Sequence, residues 1–226
     1  MQTPVIAGAL LVLASSTHTA PLTPEQLKQV DTICAKTSCR AGGYDVVVRV
    51  DKTHFMDVPV GRSPIITPEG DILIYPDETL AVQFTVSGDT LSAPRLVAQY
   101  ATRGTFAMQI DTGSTQTDNP LNTSLPALPQ KDGATDMSAL PPNTMVITYG
   151  QFKGQTGMAM NMESNLPATL KLDATLSRIG KNGYEWHYTS TCPLRKASYE
   201  TWPGPMGPIR LSHFRFLADS AKMMCE

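Results

Sequence analysis

From Tyr44 onward, hydrophobic residues recur at every second position in short segments that are separated by turn residues. The clearest segment covers 169–177, where apolar residues alternate with polar ones: Leu170, Leu172, Ala174 and Leu176 with Lys171, Asp173, Thr175 and Ser177. Successive side chains of a β-strand point to opposite faces of its sheet, so this period predicts strands with one buried face. The sequence therefore predicts a mainly β protein built from antiparallel strands.

The same alternation predicts strands in two regions of the chain. They cover 44–50, 71–75, 80–86 and 105–110 in the first region, and 145–152, 157–164, 169–177 and 209–217 in the second. In the last segment Leu211 and Phe214 are out of phase, which predicts a β-bulge near Ser212 or His213. We expect an antiparallel β-sandwich-like fold. One large sandwich with an insertion and two smaller units fit the pattern equally well.

The first residues of the chain have the features of an export signal. An apolar run from Val5 to Ala14 suits a signal peptide and is too short to span a bilayer. Small residues follow it, and we expect a signal peptide over 1–16 with cleavage after Ser16. No Lys or Arg precedes the run, and the alternative is a buried N-terminal strand or helix. No later segment has enough consecutive apolar residues for a membrane span.

The rest of the chain divides into three stretches by composition. The first, 17–110, opens with a capping box at Thr23, which predicts a short N-terminal helix before the first β region. The second, 111–143, is rich in Thr, Ser, Asn, Asp and Pro and has no apolar period, so we expect a linker or a long loop. The third, 144–226, is predicted to be a C-terminal β-sandwich-like region.

The cysteines also point to export. The chain has 4 of them, an even number that suits disulfides in an oxidising compartment. We expect the pairs Cys34–Cys39 and Cys192–Cys225, because each lies within one half of the chain. A zinc site is disfavoured, because the Cys34–Cys39 spacing has no matching second pair. We therefore predict a secreted or periplasmic protein.

One motif resembles a known catalytic turn. The string Ile110-Asp111-Thr112-Gly113-Ser114 follows an alternating segment and resembles the Asp-Thr-Gly-Ser turn of pepsin-like and retroviral-type aspartic peptidases. The resemblance implies a hydrolase in which Asp111 and a second aspartate share a proton to activate water. No second such motif occurs in the chain, so the enzyme would have to be a dimer. The alternative, which we prefer, is a strand that ends in an ordinary turn.

Three methionines recur at strand spacing: Met158, Met160 and Met162. This spacing puts their side chains on one face, and soft thioether sulfurs select Cu(I) among metal ions. His54 and Met56 have the same spacing and are candidates for additional ligands. Methionine also fills apolar faces well, and we expect core packing rather than a copper site.

Aromatic residues are concentrated between Tyr184 and Trp202. Trp186 lies in the middle of a predicted strand between alternating tyrosines, and we expect it in the core. Trp202 lies in a segment with prolines and glycine, where residues tend to be displayed. Exposed aromatic side chains bind sugars and peptides, so Trp202 and Tyr199 are the predicted ligand-binding residues. The alternative is that Trp202 covers the edge of the core.

These features favour binding over catalysis. The sequence has no nucleophile elbow, phosphate-binding loop or dinucleotide fingerprint. The net charge is −2 and no long basic run occurs, which disfavours nucleic acid as a partner. We expect an exported binding or interaction module without a cofactor, whose partner is a protein, a peptide or a glycan. An aspartic peptidase using Asp111 and a Cu(I)-binding protein are the alternatives.

Overall fold

The structure is a computed structural model that describes residues 44–60, 63–102, 125–180, 183–218 and 225. The predicted signal peptide, N-terminal helix and Cys34–Cys39 disulfide lie outside the described residues, as does the segment around Asp111. The helical structure within the described ranges is a short 3-10 helix, Met137–Ala139. In those same ranges, no helix has the length and hydrophobicity needed to cross a membrane.

The described part of the chain is dominated by strands, and every pairing between named strands is antiparallel. In chain order they are β1 (Tyr44–Arg49), β2 (Phe55–Val60), β3 (Ile65–Ile66), β4 (Ile72–Ile74), β5 (Glu78–Gln83), β6 (Val86–Ser87), β7 (Thr90–Leu91), β8 (Arg95–Tyr100), β9 (Gln130–Lys131), β10 (Ala134–Thr135), β11 (Thr144–Gln151), β12 (Met158–Ser164), β13 (Leu170–Gly180), β14 (Gly183–Ser190), β15 (Ala197–Trp202) and β16 (Met206–Phe216). The predicted mainly β, antiparallel structure is therefore confirmed.

The longer strands form two five-stranded sheets. Sheet 1 has the order β15-β12-β11-β5-β8, and sheet 2 has the order β14-β13-β16-β4-β3. In sheet 1, β5 and β8 come from the first β region of the sequence, and in sheet 2 β3 and β4 do so. Strands from both regions of the sequence thus share each sheet. The remaining strands pair as the hairpins β1–β2, β6–β7 and β9–β10.

The two sheets share one hydrophobic core. Alternate residues of the central strands are fully buried in it, among them Ile147 of sheet 1 and Leu172 and Leu211 of sheet 2. The Tyr149 hydroxyl of sheet 1 donates a 2.9 Å hydrogen bond to the carbonyl oxygen of Gly207 in sheet 2. Burial raises the pKa of Tyr149 well above its ordinary value, so the phenol remains a neutral donor.

Strand β16 contains the predicted bulge. Its register against β13 shifts after Ser212, and His213 adopts a φ of 52°. This left-handed backbone conformation is uncommon for a residue other than glycine. The extra residue restores the phase of the strand, so that Leu211 belongs to the core and Phe214 packs against it.

The segment 125–143 covers the outer face of sheet 1. This is the described portion of the stretch that we predicted as a linker or long loop, and it contains β9, β10 and the 3-10 helix. A second apolar cluster joins it to the sheet, formed by Ala81, Tyr100, Leu140 and Val146 with the partly buried Val97, Ala98, Leu128 and Met137. Within the described residues, no comparable apolar cluster covers the outer face of sheet 2.

The connection between β14 and β15 is tied to the end of the chain. Cys192 lies in this connection and forms a disulfide with Cys225, which confirms the predicted pairing. The Cys192 amide also donates a 2.6 Å hydrogen bond to the Glu200 carboxylate of β15. The disulfide and this hydrogen bond both fix the connection that carries the chain from sheet 2 to sheet 1.

Candidate ligand-binding site on the outer face of sheet 2

The methionines of β12 lie in the core that the two sheets share. Met158, Met160 and Met162 are each 0% exposed and are surrounded by other members of the core cluster. His54 lies elsewhere, in the exposed turn between β1 and β2, where its Nδ1 is 2.7 Å from an Asp51 carboxylate oxygen. Among the described residues, no group of three or more His, Cys, Asp and Glu side chains is placed to hold a metal ion.

Trp202 and Tyr199 lie on opposite faces of β15. Trp202 is half-buried against the core, and its ring centroid is 6.5 Å from that of Tyr149. Tyr199 is 48% exposed on the outer face of sheet 1. Side chains at an odd spacing along a strand point in opposite directions. The structure therefore does not bring these two predicted ligand-binding residues together.

The prediction that Trp186 is buried is wrong. Strand β14 is an edge strand of sheet 2, and there Trp186 is 37% exposed and Tyr188 is 67% exposed. Because the core residue Leu176 pairs with His187, Trp186 and Tyr188 project from the opposite, outer face. The alternation in the sequence shows which rings share a face, but the partner strand decides which face is buried.

A nearly buried aspartate organises this outer face. The side chain of Asp173 on β13 is 8% exposed. The Nδ1 atom of His213 lies 3.0 Å from one carboxylate oxygen, and Nη1 and Nη2 of Arg215 lie 3.2 and 3.3 Å from the other. The Tyr188 side chain also reaches this carboxylate and helps to lower its pKa. We refer to Asp173, Tyr188, His213 and Arg215 as the Asp173 cluster.

The donors of the cluster keep the carboxylate ionised. Burial acts to raise the pKa of Asp173, but the Tyr188 hydrogen bond, the charge and hydrogen bonds of Arg215 and the His213 contact together hold it below its ordinary value. Since an ionised carboxylate only accepts hydrogen bonds, the proton of His213 is on Nδ1. In the neutral ring, Nε2 is then an acceptor on a side chain that is 72% exposed.

Tyr188 is an exposed ring beside a short side chain of the neighbouring strand. Its side chain reaches Asp173, while the residue as a whole is 67% exposed. The register places Tyr188 beside Thr175 on β13, and Thr175 beside Arg210 on β16. The short threonine therefore lies between two long side chains, whose backbones are about 10 Å apart at the usual spacing of strands.

A second aspartate–arginine pair lies on the other side of β16. Asp173 pairs with Ser212 on one side of β16, and Asp71 directly precedes Ile72, which pairs with Leu211 on the other side. Nε of Arg210 donates a 2.7 Å hydrogen bond to Asp71, whose side chain is 10% exposed. The guanidinium groups of Arg210 and Arg215 therefore approach this part of the sheet from two directions, and their side chains are 55% and 47% exposed.

The sequence contained only part of the signal for this site. The alternation in β13 correctly places Asp173 on the polar face of its strand. Its partners His213 and Arg215 follow 40 and 42 residues later, and the pairing of β13 with β16 was not predicted. The predicted bulge was the available indication, because bulges redirect side chains next to functional sites.

Comparison of the chain with known protein families, with curated proteins and with solved structures finds no match. The geometry of the described residues is therefore the basis for assigning a function. On the outer face of sheet 2 it combines exposed aromatic rings with exposed guanidinium groups and an exposed imidazole, and nearly buried carboxylates hold the guanidinium groups and the imidazole. Such an arrangement is suited to recognition of a polar ligand with apolar faces.

Proposed function

We propose that this protein is an exported binding module that recognises a glycan with the outer face of sheet 2. The observation that carries the proposal is Tyr188, a ring that is 67% exposed and whose side chain reaches the nearly buried carboxylate of Asp173. A side chain that is already fixed loses little conformational entropy when a ligand binds. A ring that is exposed to this extent can contact the C–H faces of a sugar ring.

The surroundings of Tyr188 favour a glycan over a protein or a peptide. Protein interfaces have an apolar, tightly packed centre. Here Thr175 lies beside Tyr188, and His213 and Arg215 contact Asp173 on the same face, so that hydroxyl, imidazole and guanidinium groups are offered. A ligand rich in hydroxyl groups can donate to an imidazole nitrogen and accept from a guanidinium. Trp186, two positions along the same strand face, extends the aromatic surface.

The disulfide supports the proposed compartment. Disulfides such as Cys192–Cys225 persist in oxidising environments, which include the extracellular space and the periplasm. Glycans are exposed to exported proteins in these compartments. A secreted or periplasmic glycan-binding protein is therefore the function that the described residues support best.

A glycan array tests the proposal with a matched control. The full chain, Tyr188→Ala and Tyr199→Ala are applied to the same array of neutral and acidic glycans. Both tyrosines are exposed, but Tyr199 lies on sheet 1. We expect the full chain to bind a defined group of glycans, Tyr188→Ala to lose about tenfold in affinity, and Tyr199→Ala to bind like the unchanged chain.

Two results would count against the proposal. One is the absence of binding to every glycan on the array. The other is binding that Tyr199→Ala weakens and Tyr188→Ala leaves unchanged, which would move the site to the other sheet.

A further inference from the structure

We propose that the glycan is acidic, with a carboxylate or sulfate group that is bound by Arg215 and, in second place, by Arg210. This inference rests on the proposed function and narrows its ligand class. It follows from counting the hydrogen-bonding groups that the outer face of sheet 2 still offers after its internal contacts are made.

Arg215 retains donors for a ligand. A guanidinium has N–H groups on Nε, Nη1 and Nη2, five in all. Nη1 donates to Asp173 and, at 2.8 Å, to the His213 carbonyl oxygen, while Nη2 donates once to Asp173. Within the described residues, one Nη2 hydrogen and the Nε hydrogen remain. Because Asp173 fixes the guanidinium, these two donors are held in place before a ligand arrives.

Arg210 retains donors as well. Its Nε and Nη2 both donate to the same carboxylate oxygen of Asp71. In the part of the chain that the structure describes, both Nη1 hydrogens and one Nη2 hydrogen are left. The exposed Glu69 is close enough for its charge to interact with Arg210, which weakens the attraction of this arginine for an anion. We therefore assign the larger share of anion binding to Arg215.

Acceptors around Arg215 are scarce by comparison. The carboxylates of Asp71 and Asp173 are 10% and 8% exposed and face the arginines rather than solvent. The exposed acceptor of the Asp173 cluster is Nε2 of His213. A cluster with more exposed donors than acceptors matches a ligand group that only accepts, such as a carboxylate or a sulfate. The hydroxyl groups of a neutral sugar donate as readily as they accept, so a neutral sugar would match this excess of donors less well.

The arrangement also explains how one ligand would contact both the ring and the cations. Arg215 bonds the carboxylate of Asp173 and the Tyr188 side chain reaches the same carboxylate, so one side chain separates their functional groups. A sugar ring on Tyr188 would then place a charged substituent next to the free N–H groups of Arg215. Charge-assisted hydrogen bonds to a carboxylate or sulfate are stronger than those to a neutral hydroxyl group.

Titration calorimetry with paired oligosaccharides tests this inference. The probes are oligogalacturonate and its neutral methyl ester, together with a sulfated galactan oligosaccharide and its desulfated form. We expect at least one acidic probe to bind about tenfold more tightly than its neutral partner. We expect Arg215→Gln to abolish this preference and Arg210→Gln to reduce it. The two pairs of probes distinguish a carboxylate from a sulfate as the recognised group.

A second variant guards against a folding defect in Arg215→Gln. Arg215→Lys keeps the positive charge beside Asp173 but lacks the additional N–H groups of the fork. Its thermal unfolding should resemble that of the unchanged chain, and its acid preference should still fall severalfold.

The outcomes separate this inference from the function on which it rests. Equal affinity for acidic and neutral partners, both weakened by Tyr188→Ala, would overturn the acidic ligand and leave glycan binding intact. A preference that persists in both Arg215 variants would also overturn it. Failure of all four probes and of the glycan array would overturn both proposals.

Discussion

The outer faces of the two sheets differ in how far they are covered by other parts of the chain. Sheet 1 is covered by the segment 125–143, and Leu140 of that segment packs on Ala81 and Val146 in a second apolar cluster. The outer face of sheet 2 carries rings and charged groups that are exposed, including Tyr188 at 67% and His213 with a side chain at 72%. Part of the outer face of sheet 1 is therefore buried under this segment, whereas the outer face of sheet 2 has no comparable cover among the described residues.

The two faces also differ in how their exposed side chains are held. An exposed tyrosine on an uncovered sheet is common and requires no explanation on its own. On sheet 2, however, nearly buried carboxylates hold the exposed groups in fixed positions. Sheet 1 also has an exposed ring, Tyr199, but the described residues do not gather Arg and His side chains around a buried carboxylate there. The anchoring, rather than the exposure, distinguishes the candidate site.

The two tryptophans should give the largest contrast. Trp202 of sheet 1 packs on the core and on Tyr149, whereas Trp186 of sheet 2 is 37% exposed on the outer face. We expect Trp202→Ala to lower the free energy of unfolding by about 3 kcal/mol and Trp186→Ala by about 1 kcal/mol or less. Urea unfolding of both variants measures the order, and a larger loss in Trp186→Ala would contradict the assignment of the faces.

The cover of sheet 1 should make the next largest contribution. Leu140 is 8% exposed in the second apolar cluster. We expect Leu140→Ala to cost about 2–3 kcal/mol, because it leaves a cavity between the segment and the sheet. Pro126→Ala in the same segment is the control, because Pro126 is exposed. Equal, small losses in Leu140→Ala and Pro126→Ala would mean that the cover is not packed on the sheet.

Some features of the fold could be predicted from the sequence and others could not. The sequence was sufficient for strands such as β5, β11, β12, β13 and β16, for the polar face of β13 and for the bulge in β16, because each depends on local periodicity, whereas β2, β8 and β15 were not predicted. It was not sufficient for the burial of β14, since Tyr184, Trp186 and Tyr188 alternate in the same way whether they face the core or solvent. The pairing of Leu176 with His187 decides this, and it is a contact between strands.

The candidate site was harder to predict for the same reason. Tyr199 and Trp202 are near each other in sequence but face opposite ways on β15. Asp173 and Arg215 are 42 residues apart and meet because β13 and β16 are neighbours. Sequence proximity is a poor guide in a β protein, where long-range pairing decides which side chains meet.

The Asp173 cluster should make a moderate, pH-dependent contribution. The pKa of Asp173 is lower in the folded protein than its ordinary value, so its ionised form stabilises the fold above about pH 3.9, the unfolded value. This contribution is lost as the pH falls through the folded pKa. We expect Asp173→Asn to cost about 1–2 kcal/mol at pH 7, with a smaller difference from the unchanged chain near pH 2.5.

Urea unfolding at both pH values checks the sign, with Asp89→Asn as the control. Asp89 lies exposed in the turn between β6 and β7. Its replacement should have little effect at either pH. A difference between the unchanged chain and Asp173→Asn that grows in acid would contradict the account of the cluster.

The smallest effect on stability is expected at His213. Its φ of 52° lies in the left-handed region, which asparagine tolerates better than most residues. We expect His213→Asn to change the free energy of unfolding by about 0.5 kcal/mol or less, while it weakens glycan binding severalfold because the exposed imidazole is lost. Unfolding and array binding of the same preparation measure both, and a large stability loss with unchanged binding would assign His213 a structural role instead.

The most direct test of the open face uses the tryptophans as reporters. The chain has 2 of them, Trp186 on sheet 2 and Trp202 on sheet 1, so a nitrogen–proton correlation spectrum contains one indole signal for each sheet. Trp186→Phe assigns the two signals. During titration with the oligosaccharide that binds most tightly on the array, the Trp186 signal should shift and the Trp202 signal should stay in place. A shift of Trp202 with Trp186 unchanged would contradict the claim that the outer face of sheet 2 binds the ligand.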